Sequence, residues 1–336
     1  MTVRDNARMK SQRVLPLLAL LSLAACAGKG AGSTVESTVA TLPSSTVPTT
    51  TTTVTHEAVE VAPAVAAVGL TVNRELATGD GRVRSYHLYV PSDLPTGPVP
   101  LLIALHGGTG SGTQFRRSSG FDELAEANGF LVVFPDGVGL GADGDLFRTW
   151  NGGYCCGSAM KQDVDDVGFI DALIDDIVGE YDVDASRIFA AGHSNGGIMA
   201  YRLACELSDR IVAIGLQAGS LGINECEPSQ PVSVFHLHGT DDENHPIEGG
   251  VGANSISDTY FRSATYSVET SAEVMGCQEA PTDSVDATNP DLAITSWTNC
   301  SNGAEVRLVA VADAPHSWME LASTAILEFL LNHPRG

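Results

Sequence analysis

The chain has 336 residues, 43% of them hydrophobic and 18% charged, ordinary globular composition with length for one large or two small domains. The formal net charge is −23. That excludes a nucleic-acid partner, which needs a basic face, and reads as an acidic solvated surface.

Arg4, Arg8, Lys10 and Arg13 precede an apolar run, Val14 to Ala25, too short for a comfortable membrane span. The run ends in Leu23-Ala24-Ala25-Cys26, which resembles a bacterial lipobox. The resemblance implies a lipoprotein signal peptide over 1–25, lipidation at Cys26 and a membrane attachment through that lipid. The alternative is an ordinary secretory signal. Both addresses are extracytoplasmic, as a cell-surface lipoprotein or a secreted protein. Residues 26–66 are dominated by Thr, Ser, Ala, Val and Pro, which cannot bury a core, and are expected to form a disordered tether. The folded catalytic part is expected over 67–336. Cys155, Cys156, Cys205, Cys226, Cys277 and Cys300 form an even set, which in an exported chain suggests disulfides. No pair has zinc spacing, so neither a metal nor another cofactor is expected.

Gly69–Leu76 and Arg82–Val90 flank a turn signal and read as an antiparallel hairpin. Val99–Leu105 is an apolar strand that runs into His106-Gly107-Gly108. Phe121–Asn128 reads as a helix, Phe130–Phe134 as a buried strand, Pro135–Ser158 as a long loop and Asp165–Tyr181 as a helix. Asp163, Asp165 and Asp166 stand at that helix start, where the dipole favours carboxylates. The next strand ends in Gly192-His193-Ser194-Asn195-Gly196, and a helix follows. Ile211–Leu216 and Val232–His238 are two more strands, the second leading to Gly239-Thr240-Asp241-Asp242. Residues 243–296 read as irregular apart from a short helix carrying Val268, Ala272 and Met275. Glu305–Val311 is the last strand, His316 follows it, and Met319–Leu331 closes the chain as a helix. Buried strands alternating with helices imply an α/β fold, a mostly parallel sheet covered on both faces.

Ligands in such folds bind beyond the carboxyl ends of the strands, and the candidate polar groups all follow strands. Gly192–Gly196 fits G-x-S-x-G, the sharp turn that exposes a nucleophilic serine. Ser194 then needs a base and an orienting acid. His316 is the candidate base and Asp242 the acid, with Asp241 in reserve. The oxyanion hole needs two backbone N–H groups: Asn195 supplies one, and Gly108, or alternatively Thr109, the other. Trp150 and Trp318 are candidates to line a substrate cleft, with core packing the competing role.

The segments LHGGTGSG, LVVFPDG, WNGGYCCG, VDDVGFIDALIDDI, GHSNGGIMAYRLACE, HLHGTDDENHPIEGG and APHSWM resemble the polyhydroxybutyrate depolymerase / feruloyl esterase-like group of α/β-hydrolases. The resemblance implies an α/β-hydrolase fold and a serine carboxylesterase acting through an acyl-enzyme on a small or oligomeric ester, either feruloyl or acetyl polysaccharide esters or hydroxyalkanoate oligomers. It places the acid on Asp242. It also implies a Cys277–Cys300 disulfide bracing the His316 loop, and pairing of Cys155 and Cys156 with Cys205 and Cys226 in an unassigned order, with a vicinal Cys155–Cys156 bridge as the less favoured alternative. The family histidine usually sits in a G-x-G-H-x-W-P setting, whereas Ala314 and Pro315 precede His316 here and Met319 follows Trp318. The triad alone does not choose the acyl acceptor, so a peptidase or acyltransferase, or a non-catalytic binding lipoprotein, are the alternatives.

Overall fold

The computed structural model describes residues 69–141 and 144–336; the expected signal peptide, Cys26 and the whole of the expected tether lie outside the described residues. Leu70–Ala77 (β1) and Val83–Val90 (β2) pair antiparallel, Leu70 facing Val90 and Ala77 facing Val83. Then come β3 (Val99–Leu105), α1 (Gly112–Ser119), α2 (Phe121–Asn128), β4 (Leu131–Pro135), β5 (Val138–Leu140), β6 (Leu146–Thr149), α3 (Gly157–Lys161) and α4 (Asp166–Val178). The second half has β7 (Val183–His193), α5 (Asn195–Glu206), β8 (Ala213–Gln217), β9 (Ser233–Gly239), α6 (Ala264–Val274), β10 (Thr282–Val285), β11 (Leu292–Trp297), β12 (Val306–Val311) and α7 (Ala322–Leu331).

The main sheet runs β1-β2-β4-β3-β7-β8-β9-β12-β11-β10. From β4 to β12 every pair is parallel, while both flanks are antiparallel. The sheet is therefore mixed, with a parallel interior. Strand alternation splits the core in two. Leu101, Ile103, Ile188, Ala190 and Ile214 join Phe169 of α4, Met199 of α5 and Val268 of α6 on one face. Leu102, Ala104, Phe189 and Leu237 join Phe115 of α1, Phe121 of α2 and Ile326 of α7 on the other. Each fully buried large side chain is worth about 1.5–3 kcal/mol, so the interior strands are fixed from both sides. Their carboxyl ends deliver Leu105, His193, Gly239 and Val311 to one edge.

Three regions differ from expectation. The loop expected over Pro135–Ser158 contains the β5–β6 hairpin and the start of α3. The segment before α2 forms α1, capped by the Ser111 hydroxyl, which accepts from the Gln114 N–H at 3.2 Å. The irregular stretch contains β10 and β11, which extend the sheet antiparallel from β12. β10 is exposed along its whole length, so no burial periodicity marks it.

The disulfides also depart from expectation. Cys155 is joined to Cys156, and Cys205 to Cys226. Cys155 packs on Ile198 in the first turns of α5. Cys205 lies two turns further along that helix, about 10 Å at 1.5 Å per residue, out of a thiol's reach. Cys277 and Cys300 are joined, but their bridge ties the end of α6 to the turn before β12. It therefore stands at the opposite end of β12 from His316 and does not brace the histidine loop.

Candidate active site

Ser194 stands between β7 and α5 with φ 53° and ψ −118°, a sparsely populated conformation costing about 1–3 kcal/mol. The glycines around it are sterically required. A Cβ on Gly192 would run into the Gly196 carbonyl, and one on Gly196 into the Leu105 and His106 carbonyls. The surroundings hold the turn: the Ser194 N–H donates to the Gln217 carbonyl at 2.9 Å.

His316 reaches Ser194 from the loop after β12. Its Nε2 lies 2.9 Å from Ser194 Oγ, and its Nδ1 lies 2.7 Å from Asp242 Oδ2. A carboxylate accepts, so Nδ1 carries the proton and Nε2 is free to accept the serine's. Asp242 follows β9 and is buried; its Oδ1 accepts from the backbone N–H groups of Asn244 at 2.9 Å and His245 at 2.7 Å. Burial raises its pKa, but hydrogen bonds from His238, His316 and the His245 amide outweigh that and hold the carboxyl well below the ordinary range. The reserve acid, Asp241, is exposed.

The loop opposite is held by its own network. The Gly137 N–H donates to His106 Nε2 at 3.0 Å, so the ring's proton is on Nδ1, which donates to the Gly107 carbonyl at 2.8 Å. Desolvation holds buried His106 neutral, with its pKa down to about 4. The Thr109 N–H is spent on the Arg148 carbonyl at 2.7 Å, which removes Thr109 as an alternative donor. Gly108 faces Asn195, with an added Cβ meeting Asn195 Cβ at 3.6 Å. The Asn195 N–H, first in α5, has no partner within the helix. Gly108, Ser194 and Asn195 line the same cleft.

Several contacts that shape the site escaped the sequence reading. His193 donates its Nε2–H to the His316 carbonyl at 2.7 Å. Gln217, fully buried at the end of β8, donates to the Ser317 carbonyl at 2.7 Å and accepts from the Met319 N–H at 2.8 Å. The Asn195 side chain exchanges two hydrogen bonds with the Trp150 backbone, at 2.7 and 3.0 Å. The only sequence signals are a polar residue inside the elbow motif and a glutamine ending an apolar strand.

Neither tryptophan lines the cleft. Trp150 is 0% exposed, and its indole N–H donates to the His106 carbonyl at 3.0 Å. Trp318 stands edge-on to Phe115 and Phe121 and donates to Ser323 Oγ at 3.1 Å. Both are held by packing and by these hydrogen bonds. The cleft that Ser194 and His316 open into measures about 840 Å³. Ile198, Phe261, Met160 and the bridged Cys156 line it, with Phe147 of β6 and Ile256 at its exposed rim. Asp166, expected only to serve the helix dipole, is instead buried, pairing with Arg84 at 2.7 Å and accepting from the Asn151 N–H at 2.7 Å.

Comparison with known proteins adds the lineage. Residues 84–238 match the family described as Esterase PHB depolymerase. A Nocardia uniformis subsp. tsuyamanensis protein named "Putative esterase NocK" is 29% identical over 90% of this chain and 88% of its own length. Feruloyl esterase B of Piromyces equi is 31% identical over 65% of this chain, which spans 40% of that protein. The chain likewise spans only 31% of the bifunctional acetylxylan esterase/xylanase XynS20E of Neocallimastix patriciarum, at 25% identity over 70% of this chain. Among solved structures, an acetyl xylan esterase from Aspergillus awamori superposes with TM-score 0.52 at 16% identity, covering 77% of this chain and 98% of that one; this likeness is one of fold alone. The chain therefore has an α/β-hydrolase fold, and its residues 84–238 and its relatives show its resemblance to the polyhydroxybutyrate depolymerase / feruloyl esterase-like group of esterases.

Proposed function

We infer that the protein is an exported serine carboxylesterase working through an acyl-enzyme. The observation that carries this is the unbroken line from Ser194 Oγ through His316 to Asp242, at 2.9 and 2.7 Å. Ser194 Oγ bonds to the ester carbonyl carbon while its proton passes to His316 Nε2. The carbonyl oxygen becomes an oxyanion between the N–H groups of Asn195 and Gly108. Collapse breaks the ester C–O bond, and His316 returns the proton to the departing alcohol. Water then repeats the sequence, and Ser194 is regenerated with release of the acid. Asp242 stays ionised throughout and stabilises the imidazolium.

The named activities of the relatives and the partly apolar cleft support a feruloyl- or acetyl-type ester on a saccharide, with hydroxyalkanoate oligomers as the other substrate class. Export rests on the signal-like start, the lipobox-like Cys26, which would anchor the protein to a membrane, and the three disulfides. The test is an ester panel, hydroxycinnamate, acetate and hydroxybutyrate oligomer, run with Ser194→Ala as control and a phosphonate probe. Hydrolysis and labelling that both vanish in Ser194→Ala are expected. Labelling unchanged in that variant overturns the mechanism, and turnover confined to peptides or to an added acyl acceptor overturns the esterase assignment.

A further inference from the structure

Strand β9 places two histidines where a parallel interior strand normally carries aliphatic residues. His236 and His238 share one face of the sheet and are 0% exposed. Unpaired burial of such groups is costly, so each ring atom needs a partner. Tyr201 Oη lies 2.8 Å from His236 Nδ1, His236 Nε2 lies 3.0 Å from His238 Nδ1, and His238 Nε2 lies 2.7 Å from the His245 carbonyl.

The direction of this chain follows from its end. A carbonyl only accepts, so His238 Nε2 carries a proton. In the neutral ring Nδ1 must then accept, which puts a proton on His236 Nε2. His236 Nδ1 accepts in turn, from the Tyr201 hydroxyl. Every group is satisfied. A doubly protonated His238 would reverse the chain and leave the buried Tyr201 proton without an acceptor among the described residues.

The same His238 Nε2 lies 3.5 Å from Asp242 Oδ2, the oxygen that His316 engages. The His245 carbonyl it binds belongs to the residue whose N–H donates to Asp242 Oδ1. We propose that His238, held by His236 and Tyr201, is a positioning residue that fixes the Asp242 turn and its carboxylate against His316. Because Tyr201 lies on α5, two turns after Ser194, the chain ties the acid turn to the nucleophile's helix through the core. The titratable groups around His238 are His236 on β9 and Asp242 and His245 on the following turn, with His316 beyond Asp242.

This rests on the triad assignment, and the experiment separates the two. Wild type, His238→Leu, His238→Gln and Tyr201→Phe are compared by phosphonate labelling, steady-state kinetics across pH and thermal unfolding. In His238→Leu, kcat is expected to fall by about 10- to 100-fold with KM within about twofold, as misplacement of a reacting group does. The acid limb of kcat/KM moves to lower pH, because the His316 imidazolium has lost a well-placed carboxylate. His238→Gln, whose amide N–H reaches the Nε2 position, recovers at least about tenfold of that loss. Should His238→Leu fail to fold, Tyr201→Phe reads the same effect at about two- to fivefold. An unmoved acid limb in the folded variants, with only the melting temperature lowered, overturns the proposal. Absence of labelling in wild type overturns the triad instead.

Discussion

The ring of His193 donates its Nε2–H to the main-chain oxygen of His316 at 2.7 Å, so the residue before Ser194 holds the loop that carries His316. Gln217 does the same from the neighbouring strand through Ser317 and Met319, while its own carbonyl takes the Ser194 N–H. The base loop is thus clamped to the elbow by two side chains. His193→Leu and Gln217→Leu keep volume and remove the clamps. Each is expected to lower kcat by about tenfold or more, since small misplacements of a general base are expensive. Steady-state kinetics at saturating ester reads this, with circular dichroism to show that the variants are folded; wild-type kcat in both would sink it.

Gly196 tests the packing beneath the elbow. A methyl there meets the Leu105 and His106 carbonyls, which are backbone and belong to β3 and the loop carrying Gly108. Neither can yield without moving the sheet. Gly196→Ala is expected to cost more than about 3 kcal/mol, in the range of severe overpacking, and to appear as lost soluble yield or a urea midpoint far below wild type. Gly108→Ala is the control. Its Cβ finds only Asn195 Cβ at 3.6 Å, an ordinary contact, so that variant should fold.

The buried Arg84–Asp166 pair is a second place where one substitution is costly. Asp166 is 0% exposed, and Arg84 lies over the Phe169 ring at 4.1 Å. Burial pushes the Asp166 carboxyl up, while Arg84 and the Asn151 amide pull it back. Asp166→Ala strands a guanidinium in the core and is expected to cost about 3–5 kcal/mol. The double variant Arg84→Met/Asp166→Leu removes both charges and should recover most of the loss. Chemical denaturation of the three proteins reads the difference; equal losses in the single and double variants would exclude an uncompensated charge as the cause.

What was legible in the sequence follows from range. Val99–Leu105 and Phe130–Phe134 announce themselves because strands buried on both faces are continuously apolar, and the elbow announces itself because its glycines are sterically required. The exposed β10 and the β5–β6 hairpin carry no such period. The clamps on His316 join residues that are more than 90 positions apart in the chain, and nothing local marks them. For Trp150 the sequence leaves cleft lining and core packing open, and only the long-range bond from its indole N–H to the His106 carbonyl decides for packing. Distant partners for Cys155 and Cys156 are the natural expectation because adjacent cysteines seldom bridge, and nothing in the sequence shows that Cys155 packs against Ile198, two turns from Cys205. Asp166 reads as a helix-dipole carboxylate because its partner, Arg84, lies far away in the chain on β2.

Acid sensitivity follows from the buried imidazoles. His106 and His193 are each held to about 4, chiefly by desolvation, against about 6.5 in an unfolded chain. Between those values the unfolded state binds more protons, so stability rises with pH and is lost as pH falls from about 6.5 towards 4. His236 and His245 are shifted in the same direction by burial. Asp242 and Asp136 act lower down. Their pKa values are depressed, Asp136 to about 2 because bonds from His87 and Gly112 outweigh burial. Their stabilisation is therefore present above the ordinary carboxylate range and lost only as pH falls through it. Asp166, raised by burial, has the opposite sign. The histidines thus dominate between pH 6.5 and 4, with His106 and His193 together contributing a slope on the order of 2 kcal/mol per pH unit. Urea midpoints measured at half-unit steps from pH 7.5 to 4.5 should be level at first and then fall steeply. In His193→Leu the fall should be shallower, because one half-buried base with a lowered pKa is gone. A midpoint that stays level through the whole window would mean that these rings are not held neutral by burial.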